Sequence, residues 1–318
     1  KLVVSLGLLW LLFARLDLTR LWSVARASSL SWLVVALGWY IATVVLSSWR
    51  WHRLLVIQGV RMSLGAVLES FLVSLFFNNF LPTNIGGDVM RVRDTARPAG
   101  SPTKALTVIV ADRLAGLMAL FLFAAAGGAM MARDQLSISV GWIWGTLAVG
   151  IAGSLLALAV PSLLTRCLDP FPAIRDSWVG RQVAALAEAL RNFRAAPGGL
   201  AAVLVSSVVI QATFVLLYVA VARALGVTVG FFEMAFIVPM AGLVQLLPVS
   251  VNGFGIREAT FTVLFGRIGV PAESALLISL EATAIILAVS LGGAVAYVVR
   301  PQVPPEPVAV GSDLATAP

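Results

Sequence analysis

Long stretches of apolar residues recur along the chain, and none of them alternates with a period of two. Six lie near 2–13, 30–49, 104–131, 137–160, 200–224 and 273–299. About 20 apolar residues are needed for a helix to cross a hydrocarbon layer of about 30 Å. Because lipid cannot satisfy backbone hydrogen bonds, only helices and closed barrels span a bilayer. The continuous runs therefore predict an all-α polytopic membrane protein.

The regions between these stretches divide the chain further. Two more apolar regions, 64–80 and 231–268, are interrupted by Pro and Gly. Residues 162–199 are amphipathic, which is typical of a helix on the membrane surface, and 301–318 have the composition of a disordered tail. The stretch 2–13 is shorter than a full span, so we expect its beginning to be missing.

These features predict one transmembrane domain and a tail. The domain covers 1–300, with halves at about 30–160 and 200–300 joined by the amphipathic connection. We expect the tail to lie in the cytoplasm.

Composition supports a lipid environment and argues against nucleic acid. Hydrophobic residues make up 60% of the chain and charged residues 12%, whereas soluble domains are about 25% charged. The net charge is +7, but the basic residues are dispersed between the spans, as lipid headgroups and the positive-inside rule require. With the C-terminus inside, thirteen basic residues face the cytoplasm and seven face the other side. We therefore expect a multi-pass protein of a bacterial cytoplasmic (inner) membrane.

The two interrupted regions share one pattern with a period of 166 residues. In each, an amide precedes Pro by three residues, Gly follows Pro by five, and Arg follows Gly by four. The matching residues are Asn79, Pro82, Gly87 and Arg91 in the first region and Gln245, Pro248, Gly253 and Arg257 in the second. If both regions are re-entrant, they enter from opposite sides. The pattern thus predicts an inverted repeat of two halves, each with a Pro/Gly-broken re-entrant helical segment.

Broken helices at membrane depth are typical of a ligand site. Pro removes a backbone donor, and Gly permits close approach to the backbone. Helix N-termini and Arg side chains favour phosphate, and paired broken segments indicate a transporter site. The predicted substrate-binding residues are Asn79, Asn84, Gly86, Gly87, Asp88, Arg91, Asp112, Arg113, Gln245, Asn252, Gly253, Arg257, Glu258 and Glu281, with Pro82 and Pro248 as hinges. The alternative is that each motif simply turns the chain between two helices.

Ionisable residues also fall inside the apolar spans. Asp112, Arg113 and Glu281 lie at a depth where an unpaired charge costs about 3 kcal/mol or more. Adjacent residues project about 100° apart on a helix, so Asp112 and Arg113 are expected to pair with other helices. Predicted pairs are Asp112 with Arg91 and Glu281 with Arg257. Each acid either fixes helix packing or couples transport to protons.

Other motifs indicate packing and anchoring. Residues 49–53 combine Trp, Arg and the chain's single His, which predicts an interfacial anchor. The glycine pairs at 127–128 and 292–293 predict close helix packing. No nucleotide loop, metal cluster or nucleophile–base pair is visible, so no cofactor, metal site or catalytic residue is predicted.

The sequence resembles a known membrane family at these positions. Residues 78–91, 112–114 and 247–258 resemble the lysylphosphatidylglycerol synthase transmembrane-region family, and the resemblance covers nearly the whole chain. It implies a flippase-like protein. The best-known members carry a cytoplasmic aminoacyl-transferase domain and move aminoacylated phosphatidylglycerol to the outer leaflet, and others belong to glycolipid, polyprenyl-phosphate or hopanoid pathways. No synthase domain lies in these residues, so we expect a stand-alone member.

Three functions follow as hypotheses. The first is a flippase, not an enzyme, that moves an anionic phospholipid or a polyprenyl-phosphate-linked headgroup through a polar cavity between the halves. The second is an intramembrane enzyme on lipid phosphates, with Asp88, Asp112, Glu258 or Glu281 as acid or base. The third is a scaffold or accessory subunit for a partner glycosyltransferase or lipid synthase.

Overall fold

The computed structural model describes residues 18–81, 86–131, 196–246 and 253–300, with isolated positions between 145 and 191. In the four continuous ranges the secondary structure is helical, with no strand. The helices are α1 (Leu18–Arg26), α2 (Leu30–Ile57), α3 (Leu64–Phe80), α4 (Gly86–Ala99), α5 (Pro102–Met131), α6 (Pro197–Ala224), α7 (Phe231–Gln245), α8 (Ile256–Arg267) and α9 (Ala272–Val299). Outside the described residues lie, wholly or largely, the predicted spans 2–13 and 137–160, the connection 162–199, the tail 301–318, Pro82, Asn84, Pro248 and Asn252.

Four of these helices are long and apolar enough to cross a membrane. Helices α2, α5, α6 and α9 have 28, 30, 28 and 28 residues, and 28 residues extend for about 42 Å. They confirm the predicted spans 30–49, 104–131, 200–224 and 273–299. Helix α2 continues eight residues beyond the predicted end at 49 and reaches Ile57. The described chain is thus an all-helical membrane protein.

The first interrupted region folds as a hairpin of α3 and α4. The Asn78 Oδ1 accepts a hydrogen bond from the Gly87 backbone N–H at 2.9 Å, and the Ser70 hydroxyl donates to Asp94 Oδ2 at 2.7 Å. The first contact joins the end of α3 to the start of α4. The second joins the first half of α3 to the second half of α4. The two helices are therefore antiparallel, and the hairpin's open end adjoins the end of α2 and the start of α5.

The second interrupted region forms a corresponding hairpin of α7 and α8. Gly253 and Gly255 precede α8 with φ of 76° and 86°, in the left-handed region that favours glycine. At the other end, Ile268 follows α8 and lines the same cleft as Gly230 and Phe231 at the start of α7. The open end of this hairpin therefore adjoins the end of α6 and the start of α9.

The central helices α2 and α6 run antiparallel. The Ser29 N–H donates to the Ala224 carbonyl at 2.8 Å, and the hydroxyls of Thr43 and Thr213 are 2.9 Å apart. The start of α2 thus meets the end of α6. Because α2 leads into the first hairpin and α6 into the second, the two hairpins open toward opposite ends of the bundle.

The spans that follow the hairpins cross over: α5 packs against α7, and α9 against α3. A Cβ atom built on Gly127 would lie 2.5 Å from Phe236 N and 2.7 Å from Phe232 O. One built on Gly293 would lie 2.6 Å from the carbonyl carbon of Leu72. Close packing at these two glycines is confirmed, and their numbers differ by 166, the period of the motif.

Apolar side chains fill the centre and also cover the outside of the spans. Tyr218 of α6 packs against Phe261 of α8, with ring centroids 5.3 Å apart, inside the larger core cluster. Many large apolar side chains point outward instead, among them Val205 and Val295. Extensive exposed apolar surface on a folded chain marks contact with lipid or another apolar partner.

Candidate functional site

A buried ion cluster joins three helices beside the first hairpin. Asp112 of α5 accepts from Arg50 Nε of α2 at 2.9 Å and from Arg91 Nη2 of α4 at 3.0 Å. All three residues are buried. Arg50 Nη1 also donates to the Ser207 hydroxyl of α6 at 2.9 Å. The Asp112–Arg91 pair is confirmed, and each guanidinium offsets part of the cost of burying the carboxylate.

The cluster continues outward through Asp88 and Arg113. Arg113 Nη2 lies 2.8 Å from Asp88 Oδ2, and Arg91 Nη1 lies 3.6 Å from Asp88 Oδ1. Asp88 is in the first turn of α4, where the helix dipole favours a negative charge. The Arg113 side chain is 49% exposed. This end of the cluster is therefore accessible, and Arg113, like Asp112, pairs outside its own helix.

The cluster carries an excess of positive charge. Its three arginines and two aspartates leave a net charge of +1. The Arg91 guanidinium lies 4.2 Å from the Trp51 ring centroid and 5.5 Å from that of Phe71. Its Nε is buried and has no hydrogen-bond partner among the described residues. An arginine with an N–H group that donates no hydrogen bond is suited to bind an anion such as phosphate.

The second hairpin holds a neutral pair. Glu258 Oε1 accepts from Arg257 at 2.7 Å and from the Ser279 hydroxyl of α9 at 3.0 Å. Its Oε2 accepts from the Gly255 N–H at 2.7 Å, which caps the start of α8. Glu258 is 0% exposed. In this hairpin the Glu258 carboxylate accepts the hydrogen bonds from Arg257 and Gly255 that a bound anion would otherwise accept.

The predicted pair between Glu281 and Arg257 is wrong. Glu258, the next residue along the chain, accepts from both Nε and Nη2 of Arg257. Glu281 instead accepts a hydrogen bond from the Ser28 hydroxyl at 2.7 Å. The neighbouring carboxylate prevails because it reaches the guanidinium within a single helical turn.

The amide and glycine of the first hairpin hold helices together. Asn79 Nδ2 donates to the Ser290 hydroxyl of α9 at 2.6 Å. A Cβ atom on Gly87 would overlap the Ser74 carbonyl oxygen and lie 2.5 Å from the Asn78 side chain. Close packing of α3 on α4 is thus a sufficient reason for glycine at this position.

In the second hairpin, Gly253 lies directly against Gln245. A Cβ atom on Gly253 would overlap the Gln245 side chain, so this contact closes the hairpin in place of the Asn78–Gly87 bond. Gly86 is the first residue of α4. Of the predicted site residues, Asp88, Arg91, Asp112 and Arg113 form one cluster, and Arg257 and Glu258 another.

Sequence reasoning missed Arg50 and misplaced Trp51. Both were assigned to an interfacial anchor, but both are buried, Arg50 on Asp112 and Trp51 beneath Arg91. One signal was present: apolar residues continue beyond them, through Leu54 and Leu55, so both lie inside a helix. His52 contacts the Met62 carbonyl at 3.1 Å, in the connection to α3.

A second missed contact joins the first hairpin to the last span. Arg300 donates through both Nη atoms to Asp94, each at 2.8 Å. Burial raises the pKa of Asp94, but the hydrogen bonds from Arg300 and Ser70 outweigh it, so the pKa lies below its usual value. The two residues are 206 positions apart, and no local pattern indicates their pairing.

In the described part of the chain, a cleft lies at the open end of each hairpin. One, of about 560 Å³, is lined by Val56, Arg61 and Met62 in the connection between α2 and α3. The other, of about 280 Å³, is lined by Met131 and Phe231 among others. Neither is lined by the arginines of the two clusters, so the predicted polar cavity between the halves stays a prediction.

Four long apolar helices and two broken hairpins define a polytopic α-helical membrane protein with buried ion clusters. A family model described as the lysylphosphatidylglycerol synthase TM region matches residues 1–293. The chain therefore belongs to this family, as the resemblance predicted, and is a lipid-related membrane protein. Neither the curated proteins nor the solved structures contain a significant match to it.

Proposed function

We propose that this protein is a flippase that moves an anionic, phosphate-bearing lipid headgroup across the bacterial cytoplasmic membrane. The observation that carries the proposal is the cluster on the first hairpin. It has a net charge of +1, a buried Arg91 whose Nε has no hydrogen-bond partner among the described residues, and an accessible Arg113 at its outer end. Such a cluster attracts phosphate, and the family is associated with lipids.

An incoming phosphate would compete with Asp88. That carboxylate bridges Arg113 and Arg91 from the first turn of α4, and a phosphate there would gain the same guanidinium groups and the helix dipole. Asp112 would stay in place, because its contacts with Arg50 and Arg91 orient both arginines. The acyl or prenyl chains would remain in lipid beside the apolar faces of the spans.

The arrangement of the halves supports an alternating mechanism. Antiparallel packing of α2 on α6, together with hairpins that open to opposite ends, is the pattern of an inverted repeat. We infer that each hairpin is re-entrant, that the C-terminus is cytoplasmic, and that the halves rock about the central pair. The crossed contacts of α5 and α9 would transmit this movement between the halves.

The intramembrane-enzyme alternative has less support from the geometry. Arg50 and Arg91 occupy the two oxygens of Asp112, and Arg257 and the Gly255 backbone N–H occupy those of Glu258. A general acid or base needs freedom to exchange a proton with its substrate. Unchanged lipid mass after incubation with the purified protein is the expected result, and a new lipid product would favour the enzyme. A partner glycosyltransferase or lipid synthase is tested by co-purification.

The test of the flippase is leaflet exchange in liposomes. The purified protein is reconstituted with a fluorescent phosphatidylglycerol, and a membrane-impermeant quencher reports the outer-leaflet fraction over time. We expect exchange to be faster than in protein-free vesicles. Arg113→Ala should slow it about tenfold or more, since a hydrogen bond to a charged group contributes about 1.5–3 kcal/mol.

The control is Arg267→Ala, which removes an exposed arginine at the end of α8. Exchange by this variant should match the wild type. Arg91→Lys tests the buried position with its charge retained, and it should slow exchange because lysine lacks the planar fork. If no variant of the cluster differs from the control, or the wild type moves none of a panel of anionic lipids, the proposal is wrong.

A further inference from the structure

We propose that Glu281 is a proton-binding site inside the last span, and that its protonation is coupled to lipid movement. The coupling rests on the proposed flippase function, whereas proton binding does not. The observation behind it is a carboxyl group within a membrane span that has no cationic partner among the described residues.

The position of Glu281 places it well inside the membrane. It is the tenth residue of α9, which has 28 residues, so it lies about 14 Å along the helix from its start. Its Oε1 accepts from the Ser28 hydroxyl at 2.7 Å. Its Oε2 is buried and has no hydrogen-bond partner in the described part of the chain.

Asp112 and Glu258, the buried carboxylates of the two ion clusters, are neutralised by contrast. Asp112 contacts two guanidinium groups, and Glu258 contacts one guanidinium, a hydroxyl and a backbone N–H. An ionised carboxylate without such partners is costly in an apolar environment. Binding a proton removes this cost, since the neutral acid can accept from Ser28 without a counter-ion.

None of the described charged side chains on the packed helices contacts Glu281. Helices α1, α2, α3, α6 and α8 all contact α9. Their described titratable groups are Arg26 (α1), Tyr40, Arg50, His52 and Arg53 (α2), Glu69 (α3), Tyr218 and Arg223 (α6), and Arg257, Glu258 and Arg267 (α8). Arg26 lies over the Trp22 ring, with its Cζ 4.9 Å from the centroid. Within the described residues, Ser28 is the polar contact of Glu281.

The Glu281–Ser28 contact sits where the halves meet. Ser28 precedes Ser29, whose N–H donates to Ala224 at the end of α6, and Glu281 belongs to α9 of the second half. When the acid releases its proton to water, the new charge needs more hydration than the single hydrogen bond from Ser28 supplies, which favours an arrangement of the halves that admits water to Glu281. When a proton returns, the arrangement without this water is favoured again. Proton binding would thus bias the two arrangements of the halves that the flippase mechanism requires.

The proton site itself is tested by infrared spectroscopy of the protein in nanodiscs. The wild type should show a carbonyl stretch of a protonated carboxylic acid at neutral pH, and this band should be lost in Glu281→Gln. Glu273→Gln is the matched control, because Glu273 lies in the first turn of the same helix, and it should keep the band. A band that persists in Glu281→Gln, or is absent from the wild type, overturns the proposal.

Coupling is tested in liposomes with an imposed pH gradient. The gradient should change the rate of lipid exchange by the wild type and by Glu273→Gln, and Glu281→Gln should lose this response to the gradient. Exchange that ignores the gradient in the wild type overturns the coupling. No lipid exchange at all, with the infrared band present, contradicts the proposed flippase function and leaves the proton site supported.

Discussion

Replacing Gly293 by alanine tests the crossed packing of α9 on α3. The Cβ atom would lie 2.6 Å from the Leu72 carbonyl carbon and 3.1 Å from Phe76 Cβ, and it would overlap the Leu72 carbonyl oxygen. The Leu72 atoms are backbone, so no side-chain rotation can relieve the contact. The two helices must move apart at this point.

The matched control is the neighbouring glycine. A Cβ atom on Gly292 would meet nothing within 4 Å, so Gly292→Ala changes only the helix propensity, which favours alanine by about 1 kcal/mol. Overpacking in a well-packed interior costs about 1–3 kcal/mol. Since Gly293→Ala gains the same propensity, the two variants should differ by roughly the overpacking cost, and only Gly293→Ala should fall below the wild type.

Thermal unfolding of the detergent-solubilised protein measures this difference. Loss of the monodisperse peak in size-exclusion chromatography, after heating to a series of temperatures, gives a midpoint for each variant. We expect Gly293→Ala to lose several degrees relative to Gly292→Ala. Equal midpoints would show that α9 does not contact the α3 backbone as described, and the reasoning would be refuted.

Two further predictions concern the ion pairs. Asp112→Asn leaves the buried guanidinium groups of Arg50 and Arg91 without a counter-ion and should lower the free energy of unfolding by about 3–5 kcal/mol; an unchanged melting midpoint would contradict the described burial. Asp94→Asn should lower the midpoint at neutral pH because it weakens the contact with Arg300. Since the folded pKa of Asp94 is lowered, its contribution is present above the usual aspartate value near 4 and is lost as pH falls through the lower folded value. The difference between wild type and Asp94→Asn, measured across acid pH, should therefore shrink, and a constant difference would count against the ion pair.

The sequence predicted the helices well because span length and apolarity are local properties. The four long spans and both interrupted regions follow directly from them. Helix α2 was placed too short, since the charged residues from Arg50 to Arg53 resemble a membrane boundary. The structure buries Arg50 on Asp112 instead, and only a tertiary contact distinguishes these cases.

The ion pairs were predictable only where geometry left few choices. Arg91 and Asp112 flank one short connection between consecutive helices, so their pairing was accessible from the sequence. Glu281 and Arg257 are separated by a similar number of residues, but Arg257 donates to the adjacent Glu258 instead. The fold as a whole decides which distant helix packs on each hairpin, as the Asp94–Arg300 contact shows. No local sequence pattern indicates such a contact.

The packing of α9 on α3 also determines when the first hairpin can reach its final contacts during synthesis. Leu72 on α3 meets Gly293 on α9, and 293 minus 72 gives 221 residues of synthesis between the two contacting positions. During translation the first hairpin enters the membrane with its final neighbour not yet made. It must be shielded meanwhile by lipid, by an insertion factor or by a temporary contact within the nascent chain. Neither half would reach its native packing alone, so the two halves, expressed as separate chains, should persist only when they are made together.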